Sequence, residues 1–333
     1  MQERAMNVTD KIDLLERNEQ PVKKASAWTG LDTKTRLLIA AMFANKEQEV
    51  DPDAFKDLAD WIKEQTSAWS YLRTNIRFSV AANLMLYTAD PKKAFDSMMK
   101  MYDQLINSGF RRHNVTYLAA LAVTTQAPEL SDEERGRLAD RAIALYKAIR
   151  NDRMFSTNEY DYPLVVLLAA GREEPMEAIA REVNDTYERL RKGHWKRGND
   201  LQGLTHILAL DTEKSVDEHV QRANDLFGAW ERELRRVKPA FYSEIGVLTV
   251  RSAITQDITI VRDLEERINT LPAFRWNKEL GTMIAAQFTA SSDLEESPVS
   301  EHMMTTLAIL QQAEMAMMMA TVGAVTVATT SGN

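Results

Sequence analysis

Apolar positions along the chain fall into two kinds of segment that alternate. One kind is short and almost uninterrupted: Leu37 to Phe43, TYLAALAV from Thr116, YPLVVLLAA from Tyr162, LQGLTHILAL from Leu201, IGVLTV from Ile245 and LGTMIAAQF from Leu280. A helix that is apolar all round is one buried on all sides. The other kind is longer and amphipathic, as in EEPMEAIAREVNDTYERLRK from Glu173, where apolar residues recur three and four apart and charges fill the remaining face. The pattern predicts a repeated hairpin, with a short buried helix A, a polar turn and a longer half-exposed helix B. No stretch alternates with period two, so no sheet is expected.

The period is near 40 residues. Trp61, Tyr102, Tyr146, Tyr187 and Trp230, each inside a B segment, are separated by 41, 44, 41 and 43 residues. A second register runs through Asn75, Asn114, Asn158, Asn199, Ser243 and Asn277, residue types whose side chains accept from the first free amides of a helix. Asn114, Asn158, Asn199 and Asn277 are accordingly expected at helix N-termini. An aromatic precedes most of them, among them Phe110, Phe155, Trp195, Phe241 and Phe274, and is expected to pack between successive hairpins. Self-similarity at this period marks a repeat architecture and fits the HEAT and armadillo class better than the shorter tetratricopeptide unit. The expected fold is all-α, a helical-hairpin repeat forming a solenoid or a helical toroid.

Boundaries follow from punctuation. Thr9 to Glu19 reads as a short helix ended before Pro21, and residues 1–31 as an N-terminal capping helix. Asp32 caps the next segment, and Pro52 sits at a first helical turn behind an acid. Residues 32–290 form the repeat domain. Residues 291–333 add the acidic loop SSDLEESPVSE and a Met-rich helix and tail, expected to cover the last hairpin.

Composition then narrows the chemistry. With no cysteine among 333 residues, disulfides, thiolate metal sites and thiol nucleophiles are excluded. A net charge of −8 opposes general nucleic-acid binding. The first residues carry charges throughout and no signal-like apolar run, so a cytoplasmic location is expected. The tail is interrupted by Thr, Gly and Ser and lacks basic flanks, so no membrane partnership is expected. Nucleotide-loop, zincin, nucleophile-elbow and dinucleotide motifs are all missing. Nothing calls for a cofactor or a metal.

The phrases NEYDYPLVVLLA (from Asn158) and GNDLQGLTHILAL (from Gly198), with the Ala/Met-rich tail, resemble a bacterial family catalogued only as a domain of unknown function. The resemblance covers most of the chain from Asp32 and carries no catalytic residue across.

Candidate functional residues gather at the starts of the A helices, which stacking brings onto one edge. Asn158, Glu159, Trp195, Asn199, Asp200 and Gln202 are the candidate binding residues. Asp161 and His206, with Glu244, are the candidate catalytic group, a carboxylate–imidazole pair suited to general base work. Plain capping with dipole compensation explains the acids equally well, and a satisfied core histidine explains His206. The basic aromatic turns, with Arg111, Arg112, Lys196, Arg197, Arg235 and Arg236, could hold an anion, although Glu159, Asp200 and Glu244 are placed to neutralise them. The expected function is a non-catalytic scaffold for a protein or peptide. The alternatives are a carboxylate/His-dependent enzyme and an anionic-ligand or nucleic-acid binder.

Overall fold

The two kinds of segment become two kinds of helix. The computed structural model describes residues 8–127, 129–152, 157–251 and 255–291. In chain order the helices are α1 (Val8–Ala25), α2 (Thr33–Asn45), α3 (Pro52–Glu64), α4 (Ile76–Tyr87), α5 (Pro91–Ser108), α6 (Asn114–Thr124) and α7 (Asp132–Asp152). They continue with α8 (Tyr162–Gly171), α9 (Met176–Leu190), α10 (Asn199–Leu208), α11 (Val216–Glu233), α12 (Tyr242–Val250), α13 (Thr255–Ile268) and α14 (Lys278–Ser291). Among the described residues there is no strand. None of these helices is long and apolar enough to cross a membrane.

The even-numbered helices are the apolar runs, and they are enclosed on every side. In α2 each residue from Leu37 to Ala44 is buried. In α3, by contrast, burial is confined to Phe55, Leu58, Ala59 and Ile62, the i, i+3, i+4, i+7 stripe of a helix with one wet face. Starts are set as the residue types dictate. Asp32 accepts from the Thr35 amide, and Asp51 accepts from Asp53 and Ala54 with Pro52 at the first position.

Several expected boundaries shift. Helix α1 does not stop before Pro21 but runs through it to Ala25, because Val22 and Ala25 continue the buried stripe on which Leu14 and Leu15 lie. Asn114 and Asn199 are first helical residues, preceded in the cap position by His113 and by Gly198. Gly198 has φ 145°, which a side chain would resist, so the backbone conformation there outweighs the capping preference of Asn199. Ser243 lies inside α12, whose cap position is Phe241. Asn75 and Asn158 do occupy cap positions, and Asn277 directly precedes α14. Phe155 and the C-terminal segment from 292 onward lie outside the described residues.

The described residues form two compact units, one from residues up to Phe95 together with those from Ile260, the other Asp96–Thr259. In the first unit α2 packs against α1, α4 and α14, and α3 against α4. Ser291 at the end of α14 donates to Asn45 Oδ1 (2.5 Å) at the end of α2 and accepts from Lys11 Nζ (3.0 Å) on α1. In the second unit α6, α8, α10 and α12 pack in succession, with α7, α9 and α11 behind them. Helices α10 and α12 come close at Gly246, where an added Cβ would stand 2.8 Å from Leu204 and 3.1 Å from Ile207.

Candidate functional site

The start of α8 is built by reciprocal capping. Asn158 Oδ1 accepts from the Tyr160 amide (2.9 Å) while Asp161 Oδ2 accepts from the Asn158 amide (2.8 Å). The other carboxylate oxygen of Asp161 faces α10, where Oδ1 lies 3.5 Å from His206 Nδ1. On the far side of the ring Gln202 Nε2 stands 3.1 Å from His206 Nε2. Asp161 and His206 thus lie side by side although 45 residues apart in sequence.

Its surroundings decide its chemistry. The two side chains are 0% and 6% exposed. Burial pushes the Asp161 carboxyl up to about 7, against the pull of the Asn158 amide, and pushes the His206 imidazole down to about 3. Near neutrality the imidazole is uncharged and the carboxyl sits at its midpoint. The pair joins the start of α8 to α10 in a region closed to solvent. Glu244 is likewise buried, on α12.

The candidate binding residues divide. Glu159, half-buried, pairs with Arg111 at 2.5 Å, as neutralisation of the basic turns requires. Asn199 and Asp200 are exposed. Trp195 and Gln202 face the interior. The Trp195 indole donates to Asn224 (2.8 Å) and its ring meets Phe227 and Tyr242 edge-on, each at 4.8 Å. Trp195 is thus the seam residue expected of a turn aromatic and does not form part of an exposed surface.

A cleft of about 570 Å³ opens elsewhere in the second unit, where the C-terminal ends of α6 and α8 meet the first half of α7. Val123, Ala127, Leu130, Leu138 and Ala169 make its apolar floor, and Glu134, Arg137, Arg141 and Glu173 its charged rim. Glu134 is engaged with Ser131, and Arg137 with Glu133. Arg141 donates one N–H to the Arg172 carbonyl (2.7 Å). Arg172 itself is buried and held from three sides, by Glu174 (2.7 Å), Glu182 (2.8 Å) and the Ala209 carbonyl (3.0 Å). It fixes the end of α8 to α9 and α10 and so gives the cleft a rigid wall. Among the described residues no group of three or more His, Asp or Glu side chains is placed to hold a metal ion.

A family model described as a protein of unknown function (DUF4003) matches residues 19–316. The chain belongs to the DUF4003 family. The DUF4003 chain is also similar to the uncharacterized protein YeaA of Bacillus subtilis (strain 168), with 26% identity over 281 residues that cover 84% of each protein. No solved structure matches it. The resemblance carried by NEYDYPLVVLLA and GNDLQGLTHILAL is therefore to its own family.

Sequence reasoning overlooked several residues of this DUF4003 chain. Tyr162 and Tyr242, each the first residue of a buried helix, send their hydroxyls back to the preceding turns, accepting from the amides of Arg111 (3.4 Å) and Lys196 (2.7 Å). Their positions 80 residues apart were the available signal. Asp211, fully buried, gathers His219 Nε2 (3.1 Å) and Lys214 Nζ (2.7 Å). Burial raises the Asp211 carboxyl, but these partners outweigh it and hold it below its ordinary value. The cleft residues lie on ordinary amphipathic pattern and gave no signal at all.

Proposed function

We propose that the protein is a non-catalytic binding scaffold of stacked helical hairpins, and that the cleft of its second unit takes the carboxylate end of a peptide. The observation that carries this reading is the cleft itself. A cavity of about 570 Å³ is of the size that ligands fill, and its floor is apolar with few charged groups at the rim. Arg141 brings a planar set of donors there, only one of which is taken by the Arg172 carbonyl in the bonds described. The aliphatic body of a terminal residue suits the floor, and its carboxylate suits Arg141. The succession of α6, α8, α10 and α12 supports the stacked arrangement.

The test is calorimetry with short peptides ending in a free carboxylate or in an amide. The acid forms should bind and the amides bind at least about tenfold more weakly, the equivalent of one charge-assisted hydrogen bond. Arg141→Gln should erase that difference, and Leu138→Trp should block both. Equal binding of acid and amide, or no binding by any acid form, would overturn the reading.

One observation favours the enzyme alternative, namely the apposition of Asp161 and His206 at 3.5 Å. Their enclosure argues for binding instead, since a general base must reach the proton it removes. Hydrolytic activity abolished by Asp161→Asn, in a variant that melts as the parent does, would reverse that preference.

A further inference from the structure

Three tryptophans of the first unit stand almost wholly in water: Trp28 is 104% exposed, Trp69 96% and Trp276 84%, with Tyr71 half as open beside Trp69. Each occupies a turn that leads into a buried helix, Trp28 before α2, Trp69 before α4 and Trp276 before α14. In the second unit the rings of the equivalent turns, Phe110, Trp195 and Phe241, are buried. Exposure is therefore no property of the turn itself. The largest exposures gather in the first unit, whereas in the second Tyr160 is open to only 36%, and in the turn before α14 Phe274 is buried while Trp276 stands outward.

Two bonds place these turns at one end of the unit. Asn75 Nδ2 donates to the Gly30 carbonyl at 3.2 Å, which ties the start of α4 to the start of α2. At the opposite end of α2, Ser291 reaches Asn45 at 2.5 Å, so the last residues of α14 and α2 meet. These two helices pack against each other and have 14 and 13 residues. Packed side by side, meeting at their C-terminal ends and within one residue of the same length, at about 1.5 Å of rise per residue, they run in the same direction and begin at the same end. Trp28, Trp69 and Trp276 thus share one edge.

The edge is basic in a chain whose net charge is −8. Lys23 in the last turn of α1, and Lys34 and Lys278 in the first turns of α2 and α14, are exposed beside these turns, and Arg275 lies over the Trp276 ring at 5.3 Å. Of the acids close to these turns in sequence, Asp32 is turned to its own helix, where its oxygens accept from the Thr35 amide and hydroxyl at 3.0 and 2.6 Å, while Glu64, Glu266 and Glu279 are exposed.

We propose that this edge docks on an anionic lipid surface, with the three indoles at headgroup depth and the lysines and Arg275 against the phosphates. Indole is the ring of the membrane–water boundary, apolar in body with one N–H for the wet side. Rings that protrude singly suit a soft interface, which needs no complementary pocket, better than a folded partner, which does. Basic residues close to an anionic leaflet add to this attraction and make it sensitive to salt. The attachment is to the surface, distinct from the spanning helix that the fold lacks among its described residues. It is also independent of the cleft, which lies in the other unit.

The experiment uses the full chain with vesicles of phosphatidylcholine alone or mixed with phosphatidylglycerol, read by sedimentation and by tryptophan emission. Binding is expected to the mixed vesicles, to weaken with salt, and to bring a blue shift with quenching by lipids brominated high on the acyl chain. The combined variant Trp28→Ser, Trp69→Ser, Trp276→Ser should melt as the parent does, since all three sites are exposed, and bind at least about tenfold more weakly. Lys34→Gln with Lys278→Gln should weaken binding to the anionic vesicles alone. Absence of binding to the mixed vesicles, or equal binding by the triple variant, would overturn the proposal. So would a dimer that the triple variant splits without any vesicle binding, or binding to single-stranded DNA in place of vesicles that is lost in that variant.

Discussion

Asp161 and His206 are opposite answers to the same burial, and their contributions to stability run in opposite directions with pH. The Asp161 carboxyl, raised by burial from 3.8 to about 7, holds a proton in the fold that the unfolded chain releases. The stability it contributes is complete below about pH 4 and is lost as pH rises to about 7. His206, lowered by burial from 6.5 to about 3, stays neutral where the unfolded chain takes up a proton, so its contribution grows as pH rises from about 3 to 6.5. In the parent the two largely cancel between about pH 4 and 6.5. Relative to the parent, Asp161→Asn should therefore gain stability with rising pH across about 4 to 7, and His206→Gln should lose it across about 3 to 6.5. Each slope should approach 1.4 kcal/mol per pH unit at most. Asparagine can still accept from the Asn158 amide, which keeps the cap while removing the proton. Urea midpoints measured across this range check the signs, and two variants that both track the parent would refute the assignment.

At the scale of helices, α10 and α12 approach closely at Gly246. A methyl group there would meet Leu204 and Ile207 inside van der Waals distance. Gly246→Ala should cost about 1–3 kcal/mol by overpacking, read as a lower denaturant midpoint with an unchanged slope. A variant as stable as the parent would mean that the two helices can separate freely. What could be read at this scale from sequence was whatever a local rule governs. Asp32, Asp51 with Pro52, and Asn158 with Asp161 mark helix starts because a side chain satisfies amides two or three residues away. The Asp161–His206 pair was legible only as residue types on two buried helices, since His206 lies in the last turn of α10 and no local rule brings it to the start of α8. Pro21 misled because the stripe of Leu14, Leu15 and Val22 gains more from burial than the helix loses with one amide. Gly198 took the cap from Asn199 through its backbone angle, which composition does not reveal. The cleft and the outward turn of Trp28, Trp69 and Trp276 depend on which helices stand beside them, and that is a property of packing rather than of spacing.

At the scale of the molecule, the first unit is discontinuous, made from both ends of the described chain. Helix α14 supplies α2 with one of its neighbours, and Ser291 joins Lys11 and Asn45 across 280 and 246 residues. A fragment of residues 1–95 lacks that helix and should show helical signal without a cooperative thermal transition. Supplying residues 260–333 in trans should restore the transition if the junction is specific. A fragment that melts sharply alone would show α14 to be dispensable. The same junction has a consequence during synthesis. At roughly 5–20 residues per second, a ribosome needs on the order of 10–50 s after making Asn45 to produce its partner Ser291. Through that interval the part of α2 that α14 covers is in solution. The nascent chain should therefore be a client of holding chaperones, and ribosome-bound intermediates stalled before residue 278 should be captured by them more than those stalled after the chain is complete.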